Sequence, residues 1–173
     1  MPRITRTRSG GFSLLELVAV LIVVSILAAA VALRMDSTTE RAATNQADQL
    51  RRNLAHVQVL AMGWGVTLRL TVAVNGYTVT CQTVLTPASP PCASVGLVPK
   101  DPATGDDFTV TLTDNVTLAA VGGNTVDFDS LGRPTSGGSL IATNPARTYT
   151  LTGGTRTATV SLLPVTGFAS ASY

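Results

Sequence analysis

Residues 11–33 read GFSLLELVAVLIVVSILAAAVAL, an apolar run with one acid, Glu16, near its start and one weakly polar residue, Ser25, inside it. A short basic leader, MPRITRTRSG, precedes the run. Residues 17–33 carry no charge, and as a helix they would span about 26 Å, close to the ~30 Å hydrocarbon core of a bilayer. We therefore predict a transmembrane helix over residues 12–33, with the basic leader on the cytoplasmic side.

A cleaved secretory signal is the alternative interpretation of a basic leader followed by an apolar run, with a cleavage site at Ala28, Ala29 and Ala30. Two features argue against it. The glycines precede the apolar run, and Glu16 lies inside its start, where an acid in lipid costs roughly 2.5–3.5 kcal/mol. A plain anchor would have no reason to carry that acid unless it lay at headgroup depth.

Residues 11–17, GFSLLEL, resemble the class III prepilin signal of type IV pilins and type II secretion pseudopilins. The resemblance implies that prepilin peptidase, a membrane-embedded aspartic peptidase, cuts between Gly11 and Phe12 and then methylates Phe12. It also implies that Glu16 is the family's assembly glutamate. Implied partners are other pilins or pseudopilins, membrane lipid, and an inner-membrane assembly platform driven by a separate ATPase. The implied location is the bacterial inner membrane, with the C-terminal domain periplasmic, and then a pilus or pseudopilus.

Charge pairing gives this implied role a physical basis. After cleavage Phe12 would carry a free ammonium, and Glu16 a carboxylate at similar depth. Pairing between the amine of one subunit and Glu16 of the next would relieve the cost of a charge in lipid and set the axial register. One position departs from many pilins, because Leu33 stands where they often carry a helix-weakening proline.

The net charge of +2 depends on the leader. Removing residues 1–11 takes away Arg3, Arg6 and Arg8, and leaves nine of the twelve basic residues against ten acidic ones. An alternative function is DNA uptake, as in FimT-like pilins, which carry a basic motif near the C-terminus. The candidates here are only Arg147 and Arg156, which argues against nucleic acid as a partner.

Residues 34–63 change to an amphipathic pattern. Apolar residues follow steps of three and four and form one stripe: Ala43, Ala47, Leu50, Leu54, Val57 and Ala61. We expect the helix to end at Gly63-Trp64-Gly65. His56 flanks the stripe, with no nucleophile–base set near it, and we expect neither a catalytic residue nor a cofactor.

Residues 64–173 read as a β-rich globular domain, periplasmic or extracellular in the implied topology. The predicted fold class is α+β, with the long N-terminal helix packed on antiparallel sheets of about seven strands. Asn75-Gly76 is a two-residue hairpin signal, and two short strands surround Asp114-Asn115. The last residues, 169–173, are small and polar, and we expect them to be frayed. The string FDSLGRP, residues 128–134, resembles a segment of H-type pseudopilins and of FimT-like and MSHA-type minor pilins.

Two further groups in this domain bear on function. Cys81 and Cys92 can form only one intramolecular disulfide, which we expect if the domain is exported, and which would stabilise it by roughly 3 kcal/mol. Asp101, Asp106 and Asp107 form an acidic loop. Calcium-binding loops occur among pilin-like proteins, but this spacing is not that of an EF-hand, so we predict a solvated loop and no metal.

Overall fold

A computed structural model describes the backbone of residues 14–173 and the side chains of residues 14–30 and 38–173. Gly11 and Phe12 lie outside the described residues. One long helix, α1 (Leu14–Trp64), opens the described part. The chain divides into two units between Ser37 and Thr38, and α1 contributes to both. The predicted boundary between the apolar and amphipathic segments lies four residues earlier, after Leu33.

The α1 residues of the first unit are exposed on every side of the helix. Every described side chain of residues 14–30 is solvent-exposed, including Leu14 at 82% and Ile26 at 64%. The Ser25 hydroxyl donates to the Leu21 carbonyl oxygen one turn earlier, at 2.7 Å, so its polarity is satisfied within the helix. Among the described residues, no helix is both long enough and apolar enough to count as a candidate membrane span.

The second unit contains the predicted stripe. Its six residues are each fully buried: Ala43, Ala47, Leu50, Leu54, Val57 and Ala61. The helix ends where glycine allows it, because Gly65 adopts a left-handed φ of 67° and the Val66 amide donates to the Ala61 carbonyl at 3.1 Å. This bond from the second residue beyond the helix is that of a Schellman motif.

In residues 14–173 the chain forms ten strands in two antiparallel sheets. The first sheet has the order β3-β2-β1-β5-β6-β7, and the second has the order β10-β9-β8-β4. The strands are β1 (Leu68–Ala73), β2 (Gly76–Cys81), β3 (Thr109–Thr111), β4 (Thr117–Val121), β5 (Thr125–Phe128), β6 (Pro134–Ser136), β7 (Ser139–Leu140), β8 (Arg147–Gly153), β9 (Arg156–Leu162) and β10 (Ala169–Ser172). The α+β class is confirmed.

The core lies between the α1 stripe and the inward faces of the sheets. Leu68 and Leu70 alternate inward from β1, and Tyr149 and Leu151 from β8, and all four are fully buried. At Gly153 a Cβ atom would lie 2.6 Å from the Thr39 carbonyl oxygen of α1. The close approach of α1 to the second sheet therefore requires a residue without a side chain at that position.

The first hairpin forms as predicted, but its turn lies one residue earlier than the Asn75-Gly76 signal. Ala73 pairs with Gly76, so the two loop residues are Val74 and Asn75, and Gly76 is the first residue of β2. A Cβ on Gly76 would lie 2.2 Å from the Val110 carbonyl oxygen of β3. Gly76 thus lets β3 approach closely and does not serve as the turn glycine.

The two strands predicted around Asp114-Asn115 form as β3 and β4, and they belong to different sheets. One other expectation was wrong. Residues 169–173 are not frayed, because β10 pairs with β9 through four residue pairs. The Tyr173 hydroxyl also hydrogen-bonds the Asp48 carboxylate, which holds the pKa of Asp48 below its ordinary value. Small residues suit this strand because it lies at a sheet edge, where pairing matters more than side-chain burial.

We predict that Gly76→Ala destabilises the protein by at least 1 kcal/mol, because the added methyl group would force β3 away from β2. Gly63→Ala is the matched control. No atom lies within 4 Å of a Cβ at Gly63, so alanine should instead raise helix stability by roughly 0.5–1 kcal/mol. Denaturant unfolding followed by the fluorescence of Trp64, the only tryptophan, measures both. Equal stability of the Gly76 variant and the wild type would contradict the assignment.

Candidate functional site

Glu16 lies in the first turn of α1 and is the only charged residue of residues 14–30. The N-terminal end of a helix carries a partial positive charge, which favours a carboxylate at that position. The glutamate is exposed, as are the apolar residues that follow it. The residues with which it is predicted to act, Gly11 and Phe12, lie outside the described residues, so the roles of all three stay predictions.

The helical surface around Glu16 is apolar in every direction. The exposed large side chains of this segment are Leu14, Leu15, Leu17, Val18, Val20, Leu21, Ile22, Val23, Val24, Ile26 and Leu27. A helix that is apolar all round is stable only when it is covered, by lipid or by other helices. This surface can therefore support anchoring and lateral assembly.

In the second unit, Cys81 and Cys92 are joined by a disulfide, with their Cα atoms 5.7 Å apart. Both cysteines are fully buried. The bond tethers the proline-containing loop between them to β2, and backbone hydrogen bonds from Cys81 to Leu97 and from Gly96 to Cys81 fix the chain beyond it. The disulfide holds together a part of the domain that has little regular secondary structure.

The acidic loop is held by one contact to a histidine and by one ion pair. The His56 ring nitrogen Nε2 lies 3.2 Å from Asp101 Oδ1, and Lys100 Nζ lies 2.8 Å from Asp107 Oδ1. His56 therefore connects α1 to this loop. Among the residues that the structure describes, no group of histidine, cysteine and acidic side chains could hold a metal ion.

The two basic candidates for DNA contact do not form a patch. Arg147 is buried, and its guanidinium donates through Nε to the Thr125 carbonyl and through Nη1 to the Ala146 carbonyl. It therefore has a structural role between β8 and β5. Arg156 is exposed at the start of β9. One exposed arginine offers little of the electrostatic attraction that nucleic-acid binding needs.

Comparison with known proteins bears on both units. Residues 6–32 match the model of the prokaryotic N-terminal methylation motif. The minor pseudopilin EpsH from the type 2 secretion system of Vibrio cholerae has a similar structure, with a TM-score of 0.54 and 14% identity over 75% of this chain and 95% of that one. The type IV minor pilin FimU of Pseudomonas aeruginosa gives a TM-score of 0.47 and 12% identity over 76% and 88%. No curated protein matches the chain.

The methylation motif covers the second half of the leader and nearly all of the apolar run, and the similarity to EpsH shows that the fold is shared. The chain therefore carries an N-terminal methylation motif and has the fold of a minor pseudopilin. The matched residues include the predicted cleavage residues, Gly11 and Phe12, and Glu16.

The FDSLGRP segment forms the end of β5 and a tight turn. The Asp129 carboxylate accepts hydrogen bonds from the backbone amides of Leu131 and Arg133 and from the Arg133 guanidinium, at 2.8–3.0 Å. Burial alone would raise the pKa of Asp129, but the bonds from Arg133 and Leu131 outweigh it and hold that pKa below its ordinary value of 3.8. A structural role therefore accounts for the FDSLGRP string without a ligand.

Gln58, which sequence reasoning did not single out, joins this turn to α1 and to a second turn. Its side-chain amide donates to the carbonyl oxygens of Gly132, at 2.7 Å, and Thr166, at 2.6 Å. Both acceptors lie more than 70 residues further along the sequence, since the separations are 74 and 108. No local pattern could have predicted this contact.

We predict that Asp129→Asn lowers the free energy of unfolding by about 1–3 kcal/mol at neutral pH, because the turn loses its charged acceptor. A carboxylate whose pKa is lowered on folding stabilises the protein above its unfolded-state pKa, and this contribution is lost as the pH falls through the folded-state value. The difference from wild type should therefore shrink below pH 3.8. Denaturant unfolding at a series of pH values measures it. Asp106→Asn, in an exposed loop, should change stability by less than about 0.5 kcal/mol throughout.

Proposed function

We propose that the chain is a minor pilin or pseudopilin subunit, made as a membrane-anchored precursor and assembled into a type IV pilus or a type II secretion pseudopilus. The observation that carries this proposal is the apolar segment of α1. Residues 14–30 are exposed on all sides, and one carboxylate, Glu16, lies in the first turn. The methylation motif over residues 6–32 supports the same assignment.

The proposed mechanism begins with processing. The basic leader stays on the cytoplasmic side of the inner membrane and the β-rich domain lies in the periplasm. Prepilin peptidase cuts between Gly11 and Phe12 and methylates Phe12. Cleavage removes three arginines and creates an ammonium near the start of the apolar segment.

Assembly then exchanges one apolar environment for another. In the membrane, lipid covers the apolar segment of residues 12–33. In the filament, the equivalent helices of other subunits cover it, after transfer by the inner-membrane assembly platform. Glu16 pairs with the Phe12 ammonium of a neighbouring subunit, so that neither charge is left alone in an apolar surrounding. These steps are the same for a pilus and for a pseudopilus, and the similarity to a minor pseudopilin supports the second unit as the outward-facing domain.

We predict that the mature chain, isolated from cells that contain prepilin peptidase, begins at Phe12 and carries one methyl group on its amine. Gly11→Val should leave the precursor uncut, because a branched side chain replaces hydrogen next to the scissile bond. Gly10→Val, which makes the same change one residue earlier, should still be processed. Mass spectrometry of the N-terminal peptide measures all three. A mature chain that starts beyond Ala28 would overturn the proposal.

We predict that Glu16→Val reduces incorporation into sheared filaments at least tenfold, since the incoming ammonium loses its partner. The matched control is Ser25→Ala. It removes the other polar side chain of the segment, whose hydroxyl already bonds within its own helix, and it should assemble at wild-type level. Immunoblots of filament and membrane fractions give the ratio. If Glu16→Val assembled as well as Ser25→Ala, the proposed role of Glu16 would be wrong.

A further inference from the structure

The outer edge of the first sheet opens into a groove of about 500 Å³. The groove lies between β3 on one side, the α1 residues Gln49 and Asn53 on another, and the acidic loop of residues 101–107 at one end. Within the described residues, β3 pairs on one side only, with β2. All of these residues belong to the second unit.

The backbone of β3 presents hydrogen-bonding groups to this groove. On the side of β2, the Phe108 carbonyl accepts from the Val79 amide and the Leu112 amide donates to the carbonyl of Asn75 in the β1–β2 turn, while the Phe108 amide donates to Pro99. Since antiparallel strands alternate between inward and outward groups, Thr109 and Thr111 direct theirs away from β2. The Thr109 amide already donates to the Asp107 carbonyl. The carbonyls of Thr109 and Thr111 and the amide of Thr111 are therefore available to a further strand.

The helical wall of the groove is polar and held in place. Asn53 donates to the Tyr77 hydroxyl at 2.8 Å, and His56, one turn further along α1, contacts Asp101 at 3.2 Å. Gln49 lies one turn before Asn53 on the same face and is exposed. Its side-chain amide can both donate to and accept from a backbone that lies in the groove.

The charge of the groove selects one kind of occupant. Asp101, Asp106 and Asp107 line it. Lys100 already pairs with Asp107 and His56 contacts Asp101, which leaves Asp106 as the acid of the three without such a contact among the described residues. These acids lie at the N-terminal end of β3, because the strand begins at Thr109. A strand that pairs antiparallel to β3 would place its C-terminal end beside them. A lysine or arginine at that end would be the complementary group.

We propose that β3 is a docking edge for an extended segment of another protein, which adds as an antiparallel strand and places a basic residue near its C-terminal end against the acids of residues 101–107. Backbone hydrogen bonds to Thr109 and Thr111 provide affinity, and the acids select the charge and the direction of the added segment. This inference does not depend on the proposed filament role, because it uses only contacts within the second unit.

The test uses the full chain in detergent and a fluorescein-labelled, C-terminally amidated peptide, Thr-Val-Thr-Val-Lys-Lys, followed by fluorescence anisotropy. We expect saturable binding, and at least tenfold weaker binding when both lysines are replaced by glutamates. Thr111→Pro should weaken binding about tenfold, because it removes an outward amide that does not pair with β2. Thr111→Ala, which keeps the amide, should bind as the wild type does.

Two further measurements keep the test decisive if Thr111→Pro fails to fold. Asp106→Asn should weaken the lysine peptide several-fold, while Glu40→Gln, at an acid on α1 outside the groove, should not. In the wild type, saturating peptide should slow hydrogen exchange of the Thr111 amide. Absence of saturable binding, equal binding of the lysine and glutamate peptides, or unchanged exchange at Thr111 would each overturn the proposal.

Discussion

Burial of one face of α1 is the interaction on which the second unit depends. Each sheet has an inward apolar face, and the stripe from Ala43 to Ala61 covers both. Small residues make the close approach workable, because Ala43 lies where a Cβ on Gly153 would touch it at 3.0 Å. Removing this helix would leave two open sheets, whose apolar faces could be covered only by collapse or association.

The distribution of apolar residues around α1 differs between its two parts. From Thr38 onward the large buried residues lie on one face, and the sheets of the same chain cover that face. In residues 14–30 the apolar residues surround the axis, and this cover has to come from outside the chain. The helix itself is continuous across both parts. A change in the apolar pattern, and not a break in secondary structure, separates them.

Local pattern was sufficient for part of this structure. The stripe follows from helical periodicity, and β3 and β4 lie on either side of Asp114-Asn115 as the pattern predicts. The methylation motif includes most of the apolar run of residues 11–33. The Asn75-Gly76 signal placed the turn one residue too late. Gly76 is needed for another reason, because a side chain there would collide with the Val110 carbonyl oxygen of β3. The Arg69–Asp127 pair, at 2.6 Å across β1 and β5, and the Gln58 contacts join residues far apart in sequence, so only the fold brings them together. The roles of Gly11, Phe12 and Glu16 depend on partners outside the chain, and those roles stay predictions.

Gln58 has a consequence for the chemical ageing of the protein. Its amide nitrogen donates to carbonyls in two turns, one following β5 of the first sheet and one preceding β10 of the second. Slow hydrolysis of that amide would convert the donor into a carboxylate that faces two oxygen atoms. The resulting repulsion would act on both turns at once, so a single deamidation event would loosen both sheets where they meet the end of α1.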